Sequence, residues 1–214
     1  MKIFLDTIGC RLNQAEIENM ARQFRSAGHE IVATADSAEM AVVNTCAVTT
    51  QAASDSRSKI RNIARAGVEQ IIPTGCWTTL QPKEALALPN VLQVITNQEK
   101  DLLVPKILNL EPSTFDLEPI DRTPIPGIHR RTRAFIKVQD GCENKCTFCI
   151  TTVARGESKS RSLANVIDDI NSALAGDSKE IVLTGVHLGS WGQDFGSHHL
   201  RDLVKAILRE TDVK

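Results

Sequence analysis

Tyrosine is absent from this sequence, and only two tryptophans and six phenylalanines are present. So sparse an aromatic set argues against a stacking platform for nucleic-acid bases. A surplus of one charge is lacking as well: 25 Lys and Arg against 26 Asp and Glu leave a formal net charge of −1. There is thus no overall electrostatic footprint for nucleic acid, and an RNA contact would need a local basic patch or a further domain. No apolar run approaches the ~20 residues of a membrane-spanning helix. Met1-Lys2-Ile3-Phe4-Leu5 meets Asp6 too early for the apolar core of a signal peptide. The expectation is a cytoplasmic protein with no membrane partner, and 214 residues allow one large or two small domains.

What the sequence does hold is six cysteines. In a reducing compartment these favour metal or redox chemistry over disulfides. Cys142, Cys146 and Cys149 lie in Gly141-Cys142-Glu143-Asn144-Lys145-Cys146-Thr147-Phe148-Cys149, a C-x3-C-x2-C spacing. Three thiolates so close together can wrap one side of a metal cluster. They leave one iron of a four-iron cube without a protein thiolate, and an open coordination position is where metal sites do chemistry.

Short apolar runs alternate with helical patterns along residues 1–118. Ile3-Phe4-Leu5, Ala41-Val42-Val43, Ile71-Ile72 and Val91 to Ile95 read as strands. Ile17, Met20, Ala21 and Phe24 define one helix face, ended by Gly28; Ile60, Ile63, Ala64 and Gly67 define another. This alternation predicts an α/β fold with a parallel sheet covered on both faces. Residues 119–132 form the expected inter-domain linker, within a proline-rich stretch holding Pro112, Pro119, Pro124 and Pro126. Its end, with His129, Arg130, Arg131 and Arg133, reads either as a solvated turn or as a phosphate contact. Over 133–214 the pattern restarts. Ala134 to Val138 is a strand before the cysteine loop. Ile167, Ile170 and Leu174 mark a helix ended by Gly176. Ile181-Val182-Leu183 is the next strand, and Leu200, Leu203, Val204, Ile207 and Leu208 form an amphipathic helix. Two strand–helix units cannot close a barrel, so the chain is expected to be part of something longer or to need a partner.

Cys10, Cys46 and Cys76 each follow an apolar strand and precede a helical segment. In a parallel sheet the strand carboxyl ends share one edge, where ligands bind, so the three can converge. Gly9 and Gly75 would let backbone approach a bulky group, and helix N-termini would lower the thiol pKa values. Three buried structural cysteines are the competing reading, and a zinc site is another, although neither trio shows a fourth ligand. Arg155 and Gly156 read as part of a pocket or as a loop before the Ser160–Ser162 helix start. Thr184 and Gly185 read as a strand end. His187, His198 and His199 read as loop residues, Trp77 and Trp191 as packing, and Arg57, Lys59 and Arg61 as a solvated helix face.

The cysteine loop directly after a strand resembles the radical S-adenosylmethionine (SAM) enzymes. Together with Asn44-Thr45-Cys46, Thr74-Gly75-Cys76, Gln139-Asp140-Gly141-Cys142, Arg155-Gly156, Ser160-Arg161 and Leu183-Thr184-Gly185 it resembles the tRNA methylthiotransferases. The resemblance implies an N-terminal methylthiotransferase domain, then the first strand–helix units of a radical SAM (β/α) partial barrel, truncated at this chain's end. It implies two [4Fe–4S] clusters. Cys142, Cys146 and Cys149 would hold the one that cleaves SAM. Cys10, Cys46 and Cys76 would hold an auxiliary cluster carrying the sulfur to be inserted. Arg155, Gly156, Thr184 and Gly185 would contact SAM. The reaction implied is insertion of a methylthio group at C2 of an adenosine beside the tRNA anticodon, with a flavodoxin- or ferredoxin-like electron donor. An aromatic C–H is too unactivated for acid–base chemistry, so a cofactor carries that step. Thr184-Gly185-Val186-His187-Leu188-Gly189 resembles the branch acting on N6-threonylcarbamoyladenosine at position 37, ahead of branches acting on isopentenyladenosine or a ribosomal protein. A different radical SAM enzyme whose N-terminal cysteines relay electrons, or a noncatalytic iron–sulfur or zinc protein, are the alternatives. The chain departs from the family in Ile150-Thr151-Thr152, where a proline is common, in Phe148, where tyrosine is common, and in length.

Overall fold

The computed structural model describes residues 1–111, 123, 125–126, 132–196 and 198–213. Most of the expected linker, including His129, Arg130 and Arg131, lies outside the described residues. Two compact units are built on residues 1–111 and 132–213.

The first unit contains β1 (Lys2–Thr7), α1 (Arg11–Ser26), β2 (Glu30–Val32), β3 (Met40–Thr45), α2 (Thr50–Arg65), β4 (Gln70–Gly75), α3 (Cys76–Leu80), α4 (Pro82–Leu86) and α5 (Leu103–Leu108). Its sheet runs β2-β1-β3-β4, with every pair parallel. Alternate strand residues face opposite sides. Ile3, Leu5 and Val42 pack with Ile17, Met20, Ala21 and Phe24 of α1 and with Leu103 and Val104 of α5. Ala41, Val43 and Ile71 pack with Ile60 and Ile63 of α2 and with Trp77. Each fully buried aliphatic or aromatic side chain contributes about 1.5–3 kcal/mol, so both sheet faces are held by helices, as the alternation predicts. Gly28 ends α1 in a left-handed conformation (φ +81°), with His29 N–H donating to the Phe24 carbonyl at 3.0 Å.

Two expectations for this unit need correction, and one strand was not anticipated. Val91 to Ile95 is no strand: only Val91 and Ile95 bridge to β4, opposite Ile71 and Thr74. The Ile71 N–H and C=O both point to that edge, bonding the Asn90 carbonyl and the Leu92 N–H. Pro73, two residues on, points the same way and offers no N–H, so the ladder loses a donor midway. The short edge strand β2, paired to β1 through three residues, carries too few alternations to stand out. Gly67 lies beyond α2, in a left-handed turn (φ +98°), rather than on its face.

The second unit contains β5 (Arg133–Lys137), β6 (Gln139–Asp140), α6 (Ile150–Arg155), β7 (Lys159–Ser160), α7 (Leu163–Ala175), β8 (Glu180–Thr184) and α8 (Leu200–Glu210). β5 pairs parallel with β8, and β6 pairs antiparallel with β7. Ala134 and Ile136 pack with Val166, Ile170 and Ala173 of α7, with Trp191, and with Leu203 and Ile207 of α8. Ser162 caps α7, its Oγ accepting from Asn165 N–H at 3.3 Å. Gly176 caps the C-terminus of α7 as expected, and the left-handed residue beyond it is Asp177 (φ +64°). On α8, Leu203 and Ile207 are buried, whereas Val204 and Leu208 are exposed, so its buried face is narrower than expected. Among the described residues no helix is long and apolar enough to cross a membrane.

Candidate metal centres

The first trio is placed by three adjacent strands. Cys10 stands at the start of α1, after the loop leaving β1; Cys46 directly follows β3; Cys76 directly follows β4 as the first residue of α3. Since β1, β3 and β4 are neighbours in one parallel sheet, all three thiols sit at the same sheet edge. Two glycines bring them close. A Cβ on Gly9 (φ +117°) would lie 2.7 Å from Cys46 Cβ and 2.8 Å from its Sγ. A Cβ on Gly75 (φ +96°) would lie 2.3 Å from the Thr45 carbonyl oxygen and 2.6 Å from Asn44 Oδ1. Neither position tolerates a side chain, so the strand ends can approach as closely as backbone allows.

Cys46 and Cys76 are buried and Cys10 is exposed. Burial pushes the Cys46 thiol up, against the backbone N–H groups of Val48 and Ala47, and the nearby Cys76 and Cys10 push it further. This corrects the expected depression by a helix N-terminus. Helix α2 starts only at Thr50, with Thr49 as its cap, so its N–H groups serve Thr49 rather than Cys46.

The second trio lies on an irregular loop between β6 and α6. Cys142 is buried, Cys146 exposed and Cys149 partly buried at the start of α6. Gly141 (φ +66°) packs so tightly that a Cβ would fall 1.8 Å from the Glu157 carbonyl oxygen. The Cys142 N–H donates to the Gly156 carbonyl at 2.9 Å, and Cys149 N–H to the Cys146 carbonyl at 3.2 Å. The Cys149 thiol is held below its ordinary value, first by the Thr152 hydroxyl, which donates to its Sγ at 3.5 Å, and then by the backbone N–H groups of Thr152 and Thr151. The helix-terminus effect expected for the first trio is therefore found at Cys149. Phe148 is 97% exposed beside it.

Arg155 closes α6 and is buried, so it is helical rather than part of a loop; Gly156 follows in a left-handed conformation (φ +76°). Arg155 Nη1 donates to Asp140 Oδ1 at 2.8 Å, and Lys137 Nζ meets Asp140 Oδ2 at the same distance. Arg155 is thus engaged with the strand that leads into the cysteine loop. Thr184 ends β8, and Gly185 packs against Gln139. Gln139 is fully buried. Its Nε2 donates to the carbonyls of Asp140 and Gly141 and to Ser158 Oγ, while its Oε1 accepts from His187 N–H at 2.8 Å. One side chain therefore ties the start of the cysteine loop to the loop after β8. Trp191 is buried, its indole N–H donating to the Arg161 carbonyl, and His199 caps α8. An apolar cavity of about 240 Å³ in this unit is lined by Ser162, Leu163, Trp191, Phe195, His198 and Asp202, and contains no predicted site residue.

Sequence reasoning missed the polar residues that support the first trio: Asn13, Glu16, Asn97 and Lys100. The signal was available on α1. Asn13 and Glu16 extend the stripe of Ile17, Met20 and Phe24 at helical spacing, so two polar residues occupy core positions. Arg57 and Lys59 are not simply solvated: Arg57 lies over the Trp77 ring at 5.9 Å, and Lys59 pairs with Asp6 at 2.8 Å. Only Arg61 of that run is exposed.

Both trios offer a donor set of thiols alone, and glycines hold the backbone close at both. These features fit iron–sulfur clusters, whose irons take cysteine thiolates. Among the described residues no three His, Cys, Asp or Glu side chains are grouped closely enough to hold a single metal ion.

The chain shares its fold with a radical S-adenosylmethionine methyltransferase, TsrM, from Kitasatospora setae, solved with tryptophan substrate and a SAM analogue. The TM-score is 0.65 at 15% identity, over 97% of this chain and 51% of that one. Residues 2–97 match the family described as Uncharacterized protein family UPF0004. Nearer relatives are named Threonylcarbamoyladenosine tRNA methylthiotransferase MtaB. That of Bacillus subtilis is 33% identical over 211 residues, covering 94% of this chain and 47% of the relative. That of Thermotoga maritima is 37% identical over 210 residues, covering 95% and 48%. A Probable threonylcarbamoyladenosine tRNA methylthiotransferase of Pyrococcus abyssi is 31% identical over 224 residues, covering 100% and 52%. The resemblance read from the sequence therefore holds: the chain is a relative of the threonylcarbamoyladenosine tRNA methylthiotransferases and spans about half the length of the curated relatives it matches.

Proposed function

We propose that this chain carries the cofactor-binding part of a cytoplasmic tRNA methylthiotransferase acting at C2 of N6-threonylcarbamoyladenosine 37. The observation that carries this reading is the placement of Cys10, Cys46 and Cys76 at the ends of three neighbouring strands, in a chain that also holds a C-x3-C-x2-C loop. Residues 1–118 form the auxiliary-cluster domain, 119–132 the linker, and 133–214 the first part of the radical SAM domain. Cys142, Cys146 and Cys149 would hold one [4Fe–4S] cluster, and Cys10, Cys46 and Cys76 a second. When bound with SAM, these groups supply radical chemistry at an unactivated aromatic carbon and the sulfur placed there.

The chain's own residues prepare those positions. Gly9 and Gly75 clear the sheet edge around Cys46. Thr152 stabilises the Cys149 thiolate, the form that binds metal. Gln139 fixes Gly141, and with it the entry to the second trio, against the loop after Thr184 and Gly185. Asp140 takes both Lys137 and Arg155, so this region keeps one more cation than anion among those three side chains. Arg155 and Thr184 therefore serve the SAM-binding region as its wall, with Arg155 acting through Asp140.

The test is mass spectrometry of tRNA nucleosides from a deletion strain of the source organism, complemented with the full-length gene. The methylthiolated form of threonylcarbamoyladenosine disappears on deletion, returns with the wild-type gene, and does not return with Cys46→Ala. If it is unchanged on deletion, the substrate assignment is wrong. If it returns with Cys46→Ala, the first trio is not the sulfur-delivering site.

A further inference from the structure

Beneath the first trio runs a continuous chain of buried polar side chains that the hydrophobic core does not require. Lys100 Nζ meets Glu16 Oε2 at 2.8 Å and Asn44 Oδ1 at 3.2 Å. Asn44 Nδ2 donates to Glu16 Oε2 at 3.1 Å and to the Asn13 carbonyl at 3.0 Å. Asn13 Nδ2 in turn donates to the carbonyls of Ile8 at 2.8 Å and Thr45 at 3.1 Å. Ile8 lies two residues before Cys10, and Thr45 immediately precedes Cys46. One side-chain nitrogen thus staples the loop that bears Cys10 to the strand end that bears Cys46. With its amide protons directed to two carbonyls, Asn13 must turn Oδ1 outward, and it meets Cys10 Sγ at 3.6 Å. The third cysteine is reached from the same side as Lys100. Asn97 Nδ2 donates to Cys76 Sγ at 3.6 Å, and the Asn97 backbone N–H is anchored on Thr79 Oγ1 at 2.8 Å. Asn97 and Lys100 come from one short segment, so that segment braces the first and third cysteines at once.

A buried ion pair is a poor way to stabilise a core, because apolar residues of similar volume often do as well or better. Its use here, hydrogen-bonded outward to the residues around the thiols, points to placement. We propose that Asn13, Asn97 and the Glu16–Lys100 pair are positioning residues that fix Cys10, Cys46 and Cys76 relative to one another before an iron–sulfur cluster is bound. This rests on the reading of that trio as cluster ligands. Metal binding releases the thiol protons. The Cys10 contact to Asn13 Oδ1 is then given up, while Asn13 stays fixed by its two carbonyl partners. Asn97 keeps its bond, since an amide N–H donates to a thiolate better than to a thiol.

The test uses the chain with Cys142, Cys146 and Cys149 all replaced by Ala, so that only the first trio can take up iron. The protein is reconstituted anaerobically with iron and sulfide. Iron per chain, the half-time of iron release to a chelator, and the electron paramagnetic resonance spectrum after reduction are then measured. Asn97→Ala and Asn13→Ala are expected to shorten the release half-time about 10–100-fold, the usual effect of removing a partner that orients a metal ligand, and to alter the spectrum. Asn97→Asp, which sets an anionic oxygen opposite the sulfur, is expected to release iron faster still. Asn97 is only partly buried, so its Ala variant keeps the apo unfolding midpoint and decides the matter alone should Asn13→Ala fail to fold. Unchanged release and spectrum in Asn97→Ala overturn the positioning role while leaving the cluster reading standing. A parent protein that takes up no iron overturns the cluster reading, and the positioning role with it.

Discussion

Replacing Lys100 by Met removes one half of the ion pair on which the first trio rests. The side chains of Lys100 and Glu16 are 2% and 3% exposed, and their charged atoms are 2.8 Å apart. At an effective dielectric of about 20 their attraction is about 6 kcal/mol, against a desolvation penalty of several kcal/mol for each ion. The pair is therefore close to balanced as a unit and costly to split. Lys100→Met leaves the Glu16 carboxylate buried with Asn44 Nδ2 still bonded to it, so the loss should lie near the lower end of the usual range for splitting a buried pair, about 3 kcal/mol. The additional change Glu16→Gln keeps an acceptor for Asn44 and removes the carboxylate charge. The double variant is expected to recover most of the loss, about 2 kcal/mol of it, because the two neighbouring sites do not act additively. Urea unfolding of the apo chain, followed by circular dichroism, reads these differences directly. If Lys100→Met costs less than about 1 kcal/mol, the pair is behaving as a solvated one and the reasoning is wrong.

The remaining predictions concern single positions. Gly75→Ala should be markedly more destabilising than Gly67→Ala in the same unfolding assay. Both have positive φ, but a Cβ at Gly75 would meet backbone at 2.3 Å while one at Gly67 meets nothing within 4 Å, which limits the Gly67 cost to about 1–2 kcal/mol. Asp177→Gly should stabilise by about 1 kcal/mol, since Asp177 holds φ +64° and its ion pair with Lys179 is exposed. In the apo protein at neutral pH, Cys149 should be alkylated well before Cys46. The first thiol is lowered, so more of it is thiolate at a given pH; the second is raised and buried. Peptide mapping after timed iodoacetamide treatment gives the order, and equal rates would contradict it.

The parts of the fold that were legible from sequence are those where one physical effect dominates. The α1 stripe of Ile17, Met20, Ala21 and Phe24 is buried as expected, because its spacing has no competing period. β1, β3 and β4 were plain because strands covered on both faces carry apolar runs. The edges were harder. β2 pairs through three residues, and the Val91–Ile95 segment is limited to two bridges by the proline in β4. Helix α8 was read too broadly because periodicity marks every apolar position, whereas burial of Val204 and Leu208 depends on what packs outside them. The thiols could be located from their strand-end positions alone. Their polar supports could not, because Asn97 and Lys100 are 21 and 24 residues beyond Cys76 and meet the site only through the return of the chain past the β4 edge. The direction of the thiol shifts was also hidden, since it turns on burial at Cys46 and on the Thr152 hydroxyl and nearby backbone N–H groups at Cys149.

The central claim is that the two cysteine trios each hold an iron–sulfur cluster independently. It is tested most directly by iron and acid-labile sulfide analysis of the anaerobically reconstituted chain beside two variants, one with Cys10, Cys46 and Cys76 replaced by Ala and one with Cys142, Cys146 and Cys149 replaced. The account predicts about eight irons with matching sulfide in the parent and about four in each variant. Zinc without sulfide, or loss of all iron when either trio is removed, would contradict it.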